Sequence, residues 1–368
     1  MSHLRKQIRR LEKQLRREEE RNPMKNLYDI LKDKLPSHLM PGNIGQIGQV
    51  MWPFEYTLTF DFSDDAGWSP TTRQSQSFQV DQEASFIMTG ISWNGADYSS
   101  AGSLAPLQVE FQDVQSRRFL QDVPVPLQAL GRKQYITKLA VPFIISPNGR
   151  FEATISSFVP AAQAVAGQKV IRLTFHGVRT RTEHALNILN MMIMANQNRD
   201  INMLQKMYAS FDPSRVVDMS RALWPYFQVM RPQTIIPGGA NQSTLSSFKV
   251  TQEAGFVATD VSKEVFFANG DVWTYVDPNN FGNAGQAPGL SYTLQDAQSS
   301  RLFSAIAIPF DNIGDGSWPY RYQRPLFVGP NGIVKGTFQN GALIGYFPMI
   351  TFNGFRVYTD DTYSAGVR

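Results

Sequence analysis

Few residues in this chain have types and spacings that could do chemistry. The four histidines are His3, His38, His176 and His184, and there is no cysteine. No two histidines have the spacing that puts a pair on one metal ion. Without thiols, neither a disulfide nor a thiolate metal site can form. His176 ends a strand-like run and has no catalytic partner beside it in the sequence, so it reads as a surface imidazole and not as a general base. Gln112-Asp113 precedes Arg118, and Gln295-Asp296 precedes Arg301, at one fixed interval. An acid and an arginine could form an active site. Aspartate bonds readily to its own backbone, so a turn closed by an internal ion pair or hydrogen bond is the simpler reading. Asp64-Asp65 and Asp360-Asp361 are loop acids without the remaining ligands of a calcium loop. The phosphate-cradling and nucleophile-elbow glycine motifs are absent. Trp68, Trp93, Trp273 and Trp318 fall in or near expected loops, where an indole can stack on a sugar. Tryptophan is also enriched at protein contacts, which favours interface packing. The expectation is a chain with no catalytic residue, cofactor or metal, and not an enzyme.

The elements that must position these residues occur twice. S77-F-Q-V-D-Q-E-A-S-F86 returns as S247-F-K-V-T-Q-E-A-G-F256, and F111-Q-D-V-Q-S-R-R-F-L120 as L294-Q-D-A-Q-S-S-R-L-F303. P142-F-I-I-S-P-N-G149 returns as P325-L-F-V-G-P-N-G332, and T174-F-H-G-V-R179 as T351-F-N-G-F-R356. Four matches in one order indicate a tandem duplication. The period is too long for a solenoid repeat, so each copy is a whole domain.

Composition agrees. Apolar residues make up 42% of the 368 residues and charged residues 18%. Each copy is long enough to bury its own core. The net charge of +4 is unevenly placed, because residues 1–35 carry 11 basic and 6 acidic side chains. The basic character therefore belongs to one terminal arm. The charged N-terminus has no signal-peptide pattern, and the apolar run near Leu186 to Ala195 is too short to span a bilayer. No membrane partner is expected.

In residues 1–22, Leu4, Ile8, Leu11 and Leu15 fall on one seam of a heptad pattern, which predicts a basic amphipathic helix. So short a helix is marginal alone, and the seam implies a coiled-coil-like partner. Arg5, Arg9, Arg10, Arg16 and Arg17 could neutralise DNA phosphates. No base-reading or aromatic motif accompanies them, so a protein partner is preferred. Residues 23–54 read as a helical lead-in that includes W52-P-F54. Residues 55–181 read as the first β-sandwich, with strands at Tyr56–Phe62, Phe78–Phe86, Ser85–Trp93, Leu107–Phe111, Arg118–Val125, Lys138–Ile145, Arg150–Phe158 and Val170–Gly177. In the turn S146-P-N-G149, proline presets φ and glycine is expected to take the positive φ. Residues 182–226 read as a helical linker carrying a methionine-rich apolar stripe, and 227–368 as the second sandwich. The fold class is mainly β, two tandem sandwiches of regularly spaced short strands.

The run S146-P-N-G149, F151-E-A-T-I155 and I171-R-L-T-F-H-G-V-R179 resembles the closing strands of small β-sandwich proteins of tailed-bacteriophage particles. Those proteins decorate heads, form spikes or ring the head–tail junction, commonly as jelly rolls. The resemblance covers both β regions as a pattern. It implies a virion structural protein, assembled in the host cytoplasm, that forms homo-oligomers and binds capsid, portal or tail components. Two jelly rolls in one chain also resemble the double jelly-roll capsid proteins of tailless viruses. A carbohydrate- or receptor-binding virion protein is the further alternative.

Overall fold

The computed structural model of the chain describes residues 51–65, 67–95, 106–132, 135–159, 163–164, 170–181, 185, 223–239, 242–269, 272–275, 289–314 and 319–358. The expected N-terminal arm, the lead-in up to residue 50 and nearly all of the helical linker lie outside the described residues. Regular structure within them is almost entirely β.

The first half holds β1 (Met51–Asp61), β2 (Gly67–Trp68), β3 (Arg73–Gln79), β4 (Ala84–Gly95), β5 (Leu107–Asp113) and β6 (Arg118–Phe119). It continues with β7 (Val125–Pro126), β8 (Gly131–Arg132), β9 (Thr137–Ile145), β10 (Arg150–Ser157), β11 (Gln163–Ala164) and β12 (Val170–Arg181). The second half holds β13 (Leu223–Met230), β14 (Gln242–Lys249), β15 (Ala254–Asn269), β16 (Val272–Tyr275) and β17 (Leu290–Asp296). It closes with β18 (Ile308–Pro309), β19 (Tyr320–Val328), β20 (Ile333–Asn340) and β21 (Gly345–Tyr358).

Each half has two sheets. In the first, β1-β12-β4 carries β8 and β9 on β4, and β3-β10-β5 carries β6 and β7 on β5. In the second, β13-β21-β15 carries β16 and β19 on β15, beside a sheet ordered β14-β20-β17-β18. β2 and β11 form a separate small pair. Nearly all pairings are antiparallel. Registers match between halves: Trp52 faces Arg179 as Trp224 faces Arg356, and Glu55 faces His176 as Phe227 faces Asn353. Both long central strands are irregular at one place, between Met88 and Gly90 and between Ala258 and Asp260. Gly177 and Gly354 lie there against the backbone carbonyls of Ile87 and Val257, where a Cβ would collide.

The alternation of β1 puts Leu58 and Phe60 inside and Glu55, Thr57 and Thr59 outside. The inward faces meet in an aromatic cluster. Tyr56 stacks on Phe78 at 4.1 Å between centroids, and Phe175 contacts Phe78 at 5.3 Å and Phe151 at 5.4 Å. One continuous apolar core runs through both halves. Full burial of each such side chain contributes about 1.5–3 kcal/mol.

Four expectations are corrected. The W52-P-F54 segment belongs to β1 and not to a lead-in; β1 is an edge strand, which tolerates Pro53. The continuous run Phe78–Phe86 is broken by a turn in which Ala84 N donates to Asp81 O at 3.4 Å. Arg118–Val125 forms only the two-residue strands β6 and β7. Pro124 and Pro126 lack N–H groups there, and the Gln121 amide substitutes for a strand by bonding Phe111 N and O at 3.2 and 3.3 Å. In the S146-P-N-G149 turn the positive φ falls on Asn148 (φ 59), as on Asn331 (φ 60) in the second copy. Gly149 is needed for a different reason: a Cβ there would sit 2.7 Å from Ser146 O.

Candidate functional site

Every residue of β13 is buried, whereas the matching β1 alternates. The first half covers β13. Phe227 N donates to Leu120 O at 2.8 Å, and Gln121 pairs with Phe227 in a short parallel bridge. The Trp224 indole N–H donates to Phe119 O at 3.3 Å, and its ring meets Phe143 edge-on at 4.8 Å. The Arg118 guanidinium lies 5.5 Å from the Trp224 centroid and 4.9 Å from that of Tyr358. Farther along the seam, Phe158 meets Phe266 at 5.1 Å and Phe347 at 6.2 Å.

Polar groups fix this seam. The Asn353 amide donates to Lys138 O at 3.0 Å, and Arg231 donates to Gln108 Oε1 at 2.8 Å. The Gln228 amide, oriented to satisfy both groups, donates to the two carboxylate oxygens of Asp122 at 2.6 and 3.1 Å. The loss of water around it pushes the Asp122 carboxyl up, to about 6, while the Val123 N–H, Arg356 and the Gln228 amide pull it down. Asp122 as a residue stays exposed, so the seam raises it less than full burial would. Arg356 lies 3.6 Å from the Tyr226 ring centroid, as Arg179 lies 4.5 Å from Phe54 in the first half.

The outer face of the first half carries a polar triad. His176 Nδ1 is 2.8 Å from Glu55 Oε1, and His176 Nε2 is 2.7 Å from Ser92 Oγ. The isolated surface imidazole expected from the sequence is thus corrected. Strand alternation places all three groups outward, but the strand pairing that unites them cannot be read along the chain. Carboxylate, imidazole and hydroxyl stand in the order of a hydrolase triad. The surroundings differ from one. Ser92 lies within the central strand β4, flanked by β12 on one side and β8 and β9 on the other, so the N–H groups beside it serve the ladder. Such a strand offers no pair of free donors to a developing oxyanion. The two contacts link β1, β12 and β4.

The second half carries a concavity of about 740 Å³, lined among others by Tyr292, Arg301, Phe303, Ile308, Tyr322 and Leu326. Burial pushes the Tyr292 hydroxyl up to about 12 and the Tyr322 hydroxyl higher still. Its lining includes exposed apolar side chains, Phe303 at 40% and Phe327 at 52%, and Ile306, 79% exposed, stands in the chain between the lining residues Ser304 and Ile308. An aromatic wall with one arginine suits an aromatic side chain that brings a donor.

The residues singled out in the sequence are placed as follows. Trp68 and Trp93 are buried to 1% and 2% exposure, so neither can stack on a sugar or meet a partner, which corrects that expectation. Trp93 belongs to β4, and its indole donates to Leu130 O at 3.1 Å inside the core. Alternating strand residues and nearby turn residues had the same composition, which concealed these two rings. Trp273 stands in β16, and Trp318 lies outside the described residues. Leu4, Ile8, Arg9, Arg10, Leu11, Leu15, Arg16 and Arg17 also lie outside them. Asp113 accepts from Gln115 N at 3.2 Å and Ser116 N at 3.3 Å, and Asp296 from Gln298 N at 3.1 Å and Ser299 N at 3.3 Å. These acids build turns, while Arg118 serves the seam. Among the described residues, no three acidic or histidine side chains gather as a metal site, and no helix is long and apolar enough to cross a membrane. The seam was missed because its signal is a difference between copies. Glu55, Tyr56 and His176 give way to Phe227, Gln228 and Asn353, a change that marks a covered face.

No family model matches the chain, and no curated protein matches it. Among solved structures it is similar to a triple jelly-roll turret protein of an archaeal virus, at 9% identity and TM-score 0.20, over 80% of this chain and 57% of that one. Similarity to tripeptidyl peptidase 2 has 10% identity and TM-score 0.20, over 83% of this chain and 23% of the other. The CupB6 tip adhesin of Pseudomonas aeruginosa gives 12% identity and TM-score 0.17, over 83% and 98% of the two chains. This chain spans less than two thirds of the first two. Likenesses this low carry no argument about function.

Proposed function

We propose that this chain is a non-enzymatic structural component of a bacteriophage virion, built from two tandem jelly rolls and used in many copies. If the eight strands β1, β3, β4, β5, β7, β9, β10 and β12 are counted in order, the sheets run 1-8-3-6 and 2-7-4-5, and β13 to β21 repeat that order. That order supports the jelly-roll reading, since a jelly roll wraps eight antiparallel strands into two sheets. The observation that carries the proposal is the seam: the chain already contains one built contact between two such modules. Its basic arm, residues 1–22, anchors it to a capsid, portal or tail component. The proposal is tested by quantitative mass spectrometry of purified particles from an infected host. The chain is expected in the particle in fixed multiple copies, and deletion of residues 1–22 is expected to remove it. Copy number separates a shell protein from a ring or spike protein. A chain found only free in the lysate overturns the proposal.

A further inference from the structure

The repeat allows one surface to be read from another. In the first half, Arg118, Phe119, Leu120 and Phe143 receive β13, and Lys138 receives Asn353 of β21. Their counterparts in the second half are Arg301, Leu302, Phe303, Arg321 and Leu326, of which Arg301, Phe303 and Leu326 line the concavity. Leu120 is fully buried under the seam, and its counterpart Phe303 is bare. The converse holds at the other end. β13 is covered along its length, while β1 leaves Glu55 and Thr57 exposed and Trp52, Phe54 and Tyr56 half-exposed. The chain thus has a completed seam in its middle and half of a seam at each end. Among the described residues, nothing covers either half.

We infer that a second copy of this chain completes the seam, its β1 edge and Trp52 docking into the concavity of the first copy's second half. The inference deepens the structural reading and rests on it for the expectation of self-assembly. The internal seam supplies the contacts in kind. The Trp52 indole N–H takes the Leu302 carbonyl, as Trp224 takes that of Phe119. Arg301 covers the Trp52 ring as Arg118 covers Trp224. The Glu55 N–H donates to Phe303 O as Phe227 donates to Leu120 O. The occupant is a copy of this chain because the bare surface matches one that this chain already fills with its own strand. The two half-seams differ, so the contact is head to tail, and each copy accepts one neighbour at either end.

Two single variants of the full chain test this. Glu55→Pro removes the N–H on the open side of an edge strand that already holds Pro53 two residues earlier; it also removes the carboxylate bonded to His176, so Glu55→Ala, which loses the carboxylate but keeps the N–H, is the control and should associate like the natural chain. Ile306→Glu puts a carboxylate between the lining residues Ser304 and Ile308, at a residue 79% exposed, where the fold does not depend on it. Sedimentation velocity across micromolar concentrations should show the natural chain associating beyond a dimer. Each variant alone should lose association by about a hundredfold, the scale of a lost interface anchor. An equimolar mixture should give a one-to-one dimer and nothing larger, because each variant keeps one sound end. The inference is overturned if the natural chain stays monomeric, if the variants associate like it, or if the mixture gives no dimer. It is also overturned if Ile306→Glu alone abolishes association while Glu55→Pro leaves it whole, which would mean that two concavities face each other. Variants that associate normally, with the chain still counted in purified particles, would leave the structural reading standing.

Discussion

Ser92, His176 and Glu55 stand in the order of a hydrolase triad but in surroundings unlike those of one. A hydrolase built on them would need Ser92 accessible and an oxyanion site beside it. Ser92 is buried and lies in a strand that is paired on both sides. We therefore expect a fluorophosphonate probe to leave Ser92 unmodified, as read by peptide mass spectrometry. Ser92→Ala should cost about 0.5–1.5 kcal/mol in urea denaturation, the size of one hydrogen bond. Labelling at Ser92 would revive the enzyme reading. Asn148 carries a second expectation at this scale. Its φ of 59° lies in the left-handed region, where a Cβ costs roughly 1–2 kcal/mol unless a short polar side chain offsets it. Asn148→Ala should lower stability by about 1 kcal/mol and Asn148→Gly by little, again read in urea. The sequence marked this turn by S-P-N-G but assigned the positive φ to the glycine, because composition does not say which of two permissive residues takes it. Trp68 and Trp93 were misplaced for a related reason: an indole in a short strand and one in a loop look alike until the strand's partner is known.

At the scale of elements, most strands were legible, since the alternation of Y56-T-L-T-F-D-F62 and the turn residues depend on neighbours along the chain. Strand pairing depends on residues more than a hundred positions apart, and the seam depends on pairing. Asp122 gives the seam a measurable signature. Its carboxyl is raised to about 6 in the folded chain, first by the loss of water around it, while in the unfolded chain it returns to the ordinary 3.8. The folded seam therefore binds the proton more tightly than the unfolded chain does. Its contribution to stability is full below the unfolded value and is lost as pH rises through about 6. The urea midpoint should rise when the pH falls from neutral toward 5, and Asp122→Asn should flatten that part of the profile. Asp260 is raised by burial too, so the difference between the two proteins is the informative quantity. Identical pH profiles would mean that the Asp122 carboxyl stays in water in the folded chain.

Across the whole molecule, the repeat was plain in the sequence, but the sequence could not say whether the copies act as one body. The structure answers with a core that continues through both halves and a seam whose central ring, Trp224, is 9% exposed. Two domains that merely touch unfold separately, whereas two whose coupling exceeds the stability of the weaker one unfold together. Trp224 bonds Phe119, packs on Phe143 and lies under Arg118, and Trp→Ala at such a site costs about 3–5 kcal/mol. That loss falls on the coupling and on the second half, and it leaves the first half's own core intact. The full chain should therefore melt in one calorimetric transition with equal calorimetric and van't Hoff enthalpies, and Trp224→Ala should split it in two. The Glu55→Pro, Ile306→Glu double variant is the proper background for this measurement, because it removes contacts between copies that would otherwise couple one chain to the next. Two separate transitions in that background with Trp224 intact would show the seam to be too weak to join the halves. The head-to-tail contact, which repeats the seam's bonds without a covalent link between its partners, would then have to be weaker still.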